Sequence, residues 1–170
     1  MADKYVYLGS SGLAEKQATT TSTGTTDAGK IVALGSDGLL DISLMPVGVG
    51  ANTRVAVASE NLNAGDLINL YNNAGTLTAR KADATGGIAK KADGFVISSV
   101  TSGQNATVYF DGTITGLSGL TTGAIYYLST TAGGITTTIP TTANYIAQRV
   151  GKALSATELS FDPGEPIIRA

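Results

Sequence analysis

The sequence predicts an all-β protein: a β-barrel or sandwich built from two similar β units, preceded by an extended N-terminal arm, with little helix. Three observations predict it. Polarity comes from Thr and Gly rather than from charge. From about Arg54 onward, short strand-like runs are separated by turn signals. One pattern of turn and core residues occurs twice, 58 positions apart.

The chain has 170 residues, enough for one ordinary domain plus an arm. Hydrophobic residues make up 42%, so a core can be buried, but only 14% are charged, against roughly 25% in ordinary soluble domains. There are 24 Thr and 22 Gly. Thr is β-branched and fits a pleated surface, while Gly supplies turns and bulges. So little charge suits a β protein partly covered by copies of itself or by a partner.

Residues 1–53 form the arm. Tyr5-Val6-Tyr7-Leu8 reads as a short strand, followed by Gly9-Ser10-Ser11-Gly12. The run Ala18 to Thr26 is too polar to build a core. From Gly29 to Pro46, two short apolar strings flank the Asp37-Gly38 turn signal, which predicts a hairpin ended by Pro46. A lone hairpin cannot bury Ile31, Val32, Leu34, Leu39, Leu40, Ile42, Leu44 and Met45. These eight are the candidate docking residues, on the chain's own domain or on another chain. Val47-Gly48-Val49-Gly50 reads as a flexible joint.

Residues 54–170 form the β domain. Strands are expected at Leu67 to Tyr71, Phe95 to Val100, Ala106 to Phe110, Ala124 to Leu128, Ile146 to Ser155 and Glu158 to Phe161. Ala74-Gly75, Asp93-Gly94, Asp111-Gly112 and Asp162-Pro163-Gly164 are the breaks. The repeat runs over about 62–98 and 120–155. Leu62, Gly65 and Leu70 fall on Leu120, Gly123 and Leu128; Ala74, Gly75 and Thr78 fall on Ala132, Gly133 and Thr136; Ile88 and Ala89 fall on Ile146 and Ala147. After a one-residue slip, Gly94 and Ser98 fall on Gly151 and Ser155. Each unit is a hairpin plus a returning strand. Neither hides its apolar face alone, so the two are expected to close on each other.

Reactive chemistry is sparse. With 0 His and 0 Cys, His-based catalysis, His-ligated metals, disulfides and thiolate sites are excluded. Acidic residues are scattered singly, and Asp37, Asp93 and Asp111 precede Gly, where an Asx side chain satisfies a turn. Gly48-Val49-Gly50 begins a dinucleotide-type pattern, but Thr53 replaces the third Gly and no helix signal follows. Arg80, Lys81, Lys90 and Lys91 alternate with Asp83 and Asp93 as a mixed solvated face, and net charge is −2, so no nucleic-acid partner is expected. No stretch approaches the roughly 18 apolar residues of a membrane helix. The expectation is a non-enzymatic protein without cofactor or metal, made in a cytoplasm and soluble until it assembles.

Ala64-Gly65-Asp66-Leu67-Ile68-Asn69-Leu70-Tyr71-Asn72-Asn73-Ala74-Gly75 resembles the small structural proteins of tailed bacteriophages. So do Ala92-Asp93-Gly94-Phe95-Val96, Ala106-Thr107-Val108-Tyr109-Phe110-Asp111-Gly112, Tyr126-Tyr127-Leu128-Ser129 and the ending from Val150 to Ile167. The resemblance is to capsid decoration, cement or head-fibre proteins, and Gly29 to Pro46 is similar to a connector of phage fibres. It implies a virion protein on the outer capsid surface, with the major capsid protein and its own copies, as a homotrimer, for partners. The alternative it leaves is a head- or tail-fibre module binding a host-surface glycan.

Overall fold

A computed structural model of the chain describes residues 4–45 and 50–170. The chain divides into two compact units, Met1–Gly50 and Ala51–Ala170. The protein is all-β, and the helical pieces among the described residues are 3-10 turns at Thr25–Asp27, Ile42–Leu44 and Ala84–Lys90. The expected joint at Val47-Gly48-Val49 and the stop at Pro46 lie outside the described residues.

The first unit opens with an antiparallel hairpin, β1 (Lys4–Gly9) and β2 (Gly12–Gln17), with Leu8 opposite Leu13 and Gly9 opposite Gly12. β1 contains the expected strand, whereas β2 was not expected, because its Ala-Glu-Lys-Gln run favours helix. Pairing with β1 overrides that preference. Next, Thr19 makes a parallel bridge to Val32. It donates its amide to Ile31 O at 2.9 Å and accepts from Ala33 N at 2.8 Å.

The hairpin expected over Gly29 to Pro46 does not form in the described residues. Asp37-Gly38 does turn the chain, as a tight loop in which Gly35 N donates to Leu39 O at 2.8 Å and Leu39 N to Asp37 Oδ1 at 3.0 Å. The two flanks then part. Val32 is taken by Thr19, and Asp41 accepts from Ser43 N at 2.9 Å, which curls Ile42–Leu44 into a 3-10 turn. Local carboxylate caps thus consume the amides that a second strand would have needed.

In the second unit, β3 (Thr53–Ala58), β4 (Leu67–Asn73), β5 (Thr76–Lys81), β6 (Gly94–Phe95) and β7 (Asn105–Tyr109) close a barrel in the order β3-β5-β4-β6-β7. The β3–β5 pairing is parallel and the others antiparallel. Then come β8 (Gly112–Ile114), β9 (Ile125–Leu128), β10 (Ile135–Thr136), β11 (Ile146–Ala147), β12 (Arg149–Ala153), β13 (Leu159–Phe161) and β14 (Ile167–Ile168). Five of these form an open sheet, β10-β9-β12-β13-β8, while β11 pairs with β14. The run expected from Phe95 to Val100 is a strand only at its start and returns as a bridge from Val100 to Leu62. The run expected from Ile146 to Ser155 is split between β11 and β12.

The sequence repeat is also a repeat of topology. In each copy a first strand (β3, β8) precedes a hairpin (β4–β5, β9–β10), then a return strand (β6, β12), then a strand pairing back on the first (β7, β13). Ile68 faces Gly94 across β4–β6, and Tyr126 faces Gly151 across β9–β12, which is the same register after the one-residue slip. The turn glycines Gly75 and Gly133 both adopt positive φ, 90° and 77°, a conformation that favours Gly. Gly94 and Gly151 are required for a different reason. A Cβ on Gly94 would lie 2.5 Å from Tyr109 O on β7, and one on Gly151 would collide with Ser160 O on β13.

Successive strand residues point to opposite faces, and β4 and β6 are buried on both. Ile68, and Val96 just after β6, face the barrel interior with Leu62, Val108 and the alanines Ala56, Ala58, Ala79 and Ala106. Small residues fit there because a five-stranded barrel is narrow. Leu67 and Phe95 face a second core with Tyr126, Leu128, Ile146, Val150, Leu159 and Phe161 of the other copy. Phe95 meets Phe161 edge-on, with ring centroids 5.3 Å apart. Backbone bonds stitch the copies together: Leu67 N to Gly133 O at 2.9 Å, Gly133 N to Ala82 O at 2.8 Å and Ala84 N to Ser129 O at 3.0 Å. Buried Gln148 bonds both ways to Ala92, accepting from its N at 2.8 Å and donating to its O at 2.9 Å.

Gly94→Ala and Gly151→Ala are each expected to destabilise the β domain by about 2–3 kcal/mol or more, because the intruded atom is backbone and cannot rotate away. Gly164→Ala, whose nearest neighbour would be 3.7 Å away, should change stability by less than about 0.5 kcal/mol. Urea unfolding of the three variants decides it; similar midpoints for all would refute the close-approach account.

Candidate functional site

All the buried side chains among the described residues lie from Ala56 onward, so residues 4–45 contain no buried residue. Of the eight candidate docking residues, Ile31, Val32, Leu34, Leu39, Leu40, Ile42 and Met45 are exposed and Leu44 is half-buried. Ile42 is 68% and Leu39 66% exposed. Together they line the loop around Asp37-Gly38, its two flanks and the 3-10 turn after it.

Sequence reasoning missed the hairpin's contribution. Leu8 and Leu13, paired across β1–β2, are each 80% exposed, and Val6 shares their face. The alternation Tyr5-Val6-Tyr7-Leu8 marked β1, but Leu13 could be placed only once β2 was known to be a strand. The opposite face carries Tyr5 and Tyr7; Ile31 N donates to Tyr5 Oη at 3.3 Å, so this face is held to the following segment.

Every charged residue of 4–45 is engaged within the segment. Lys4 pairs with Glu15 at 3.0 Å and Lys30 with Asp27 at 2.5 Å. Lys16 Nζ lies 5.7 Å from the Tyr7 ring centroid. Asp37 and Asp41 cap Leu39 N and Ser43 N. Asp27 closes the Thr-rich loop, accepting from Thr23 N at 2.6 Å and from the Thr23 hydroxyl at 2.7 Å. The Lys30 ammonium first, and then the Thr23 amide and hydroxyl, hold the Asp27 carboxyl far below its ordinary value of 3.8. The Ser43 hydroxyl and then its amide lower Asp41 as well. The resulting surface is mostly apolar side chain and hydroxyl, with four of its seven charged residues joined in two ion pairs. An open groove beside it is lined by Ala18, Thr19, Thr20, Thr21, Leu34 and Ser36, with Lys30 the one ionisable group.

In the β domain the mixed face of the sequence is a structural network. Arg80 donates from Nε to Asn69 Oδ1 at 2.9 Å and from Nη2 to Ala89 O at 2.5 Å, and it stacks 4.3 Å over Tyr71. Buried Asn69 donates to Lys91 O and Asp93 Oδ2. Asp93 therefore does not sit at a local turn as expected; its carboxylate accepts Leu70 N from β4 at 2.8 Å, and Gly94 begins β6. Lys81 pairs with Asp66 at 3.1 Å. Among the described residues no three Asp or Glu side chains come together in a group able to hold a metal ion, and no helix is long and apolar enough to cross a membrane.

No protein-family model matches the chain, and no curated protein matches it. Among solved structures, the chain is similar to the N base of the head fiber gp8.5 of bacteriophage phi29, at 14% identity and a TM-score of 0.45, over 66% of this chain and 95% of that one.

The Asp27 turn gives a pH prediction. A carboxyl whose folded pKa is depressed contributes stability above its ordinary pKa and loses it only as pH falls through the folded value. The side-chain carboxyl carbon of Asp27 should show no NMR titration step between about pH 5 and 3, while the Thr23 amide stays protected. An ordinary step near 3.8 would refute the closed turn.

Proposed function

We propose that this is a structural virion protein that binds the outside of a bacteriophage capsid and stabilises the shell as a homo-oligomer, a trimer by the resemblance, and that it is not an enzyme. The observation that carries the reading is the division within the chain. Residues 51–170 hold two β units on complete cores, while residues 4–45 expose their apolar side chains and bury none. A rigid module joined to an apolar segment of few charges suits a scaffold whose work is contact.

The resemblance supplies the partner. The stretches similar to phage decoration and head-fibre proteins form β4 and its turn, β6, β7 with the start of β8, and β9, so they are the repeat's own strands and turns. The major capsid protein is the partner this reading requires. Its mechanism is mechanical: an oligomer seated over a junction between capsid subunits adds buried area spanning several of them. Opening the shell must then break those contacts together.

Purified protein added to heads stripped of their outer proteins should bind at saturable stoichiometry and raise the temperature at which the shells release DNA. Absence of binding, or binding without any gain in heat resistance, sinks the proposal. Adsorption to host cells instead would favour the glycan-binding fibre reading.

A further inference from the structure

Seven exposed apolar residues in a loop would ordinarily be read as a patch on a folded surface. A patch, however, needs a core behind it to hold its shape, and this segment has none: no side chain between Lys4 and Met45 is buried. An isolated two-stranded hairpin is at best marginal in water, and a bridge, a loop and two 3-10 turns add backbone order without adding burial.

The size of the exposed apolar surface points the same way. The ten exposed Val, Leu, Ile and Met side chains offer on the order of 1,000 Å² at roughly 100 Å² apiece. A standard interface takes about 800 Å² from each partner. Charge narrows the choice of partner. Lys4–Glu15 and Lys30–Asp27 are paired inside the segment, and the three charges outside these pairs, Lys16, Asp37 and Asp41, are few beside ten exposed apolar side chains, so the matching surface is a mostly apolar one.

We propose that the core of Lys4–Met45 is formed between copies of this chain, with Leu8 and Leu13 of the hairpin and Leu39 and Ile42 of the loop packing against their counterparts in neighbouring subunits. This deepens the oligomer part of the proposed function and commits the apolar segment to self-association rather than to the capsid. A second copy brings the same apolar segment, and folding and association become one step, as in obligate oligomers that have no stable folded monomer.

The test uses the full chain without heads. Sedimentation at micromolar concentration should show a defined oligomer, and the triple variant Leu8→Ser/Leu13→Ser/Ile42→Ser should sediment as a monomer. Its β domain should melt as in the parent, because no residue of that core comes from the segment. The chain has 0 Cys, so a single thiol reports cleanly. Leu13→Cys should react with a maleimide at least about tenfold more slowly than Thr101→Cys on the exposed surface of the β domain, and dilution should abolish the difference. A monomeric parent, an oligomer that survives the triple substitution, or equal labelling of the two cysteines each overturns the proposal. None of these outcomes bears on head binding, which stands or falls on its own assay.

Discussion

Leu67 and Phe95 look into one core while Ile68 and Val96 look into another, and this two-sided burial of β4 and β6 is what the β domain depends on. A strand buried on one face tolerates an unpartnered polar side chain on the other; here a buried polar side chain such as Asn69 needs partners within the fold. The constraint spreads outward. Because β6 is sandwiched, the chain before it can satisfy its polar groups only internally: Asp93 takes Leu70 N, and Asn69 takes Lys91 O. Because β7 must cross close to β6, position 94 has no room for a side chain. Removing any of these would leave a buried donor or acceptor unmet, or force backbone apart.

The two copies share strand order but not closure, and local chemistry accounts for it. In the first copy β3 and β5 are long enough to meet in parallel, at Val57 with Thr78 and Ala58 with Ala79. In the second copy β8 and β10 are short and the sheet stays open. Pro140 follows soon after β10 and carries no N–H for a ladder. The repeat position of Pro140 in the first copy is Ala82, whose amide donates to Leu67 O at 2.8 Å and whose carbonyl accepts Gly133 N from the other copy. One barrel and one open sheet thus arise from a single plan, and the contact between them does the burying that the open sheet cannot do alone.

What was legible in the sequence follows from what each residue type can signal locally. The repeat was visible because its shared core residues stand beside glycines that turns and close approaches demand, as at Gly75 with Gly133 and Gly94 with Gly151. The all-β class followed from the same turns. Gln148 and Asn69 carried no signal, since their importance lies in reaching Ala92 and Lys91 across the fold. The strand β2 was hidden by a composition that favours helix, and the expected hairpin after Gly29 failed because Asp37 and Asp41 satisfy the chain locally. The eight apolar docking candidates could be picked from the sequence because no nearby pattern offered them a core, but Leu8 and Leu13 could not, because their exposure depends on the register of β1 against β2.

The pairing of four of its seven charged residues gives the apolar segment a particular physical character. Exposed ion pairs such as Lys4–Glu15 contribute little to stability, so they do not hold the segment folded. Their effect is to cancel charge locally, so that residues 4–45, with three Lys and four Asp or Glu, keep only a weak long-range electrostatic preference. Association driven by such a surface is governed by apolar area, so it resists salt and weakens on cooling, as apolar burial does. Steering by charge, which speeds encounter between oppositely charged proteins, contributes little to it. Selectivity must then come from shape: from how the paired Leu8 and Leu13 and the Asp37 loop present apolar side chains at spacings set by the hairpin register and the 3-10 turn. In this segment the capping carboxylates and turn glycines, which looked like loop chemistry in the sequence, are therefore the residues that give an apolar surface a definite form.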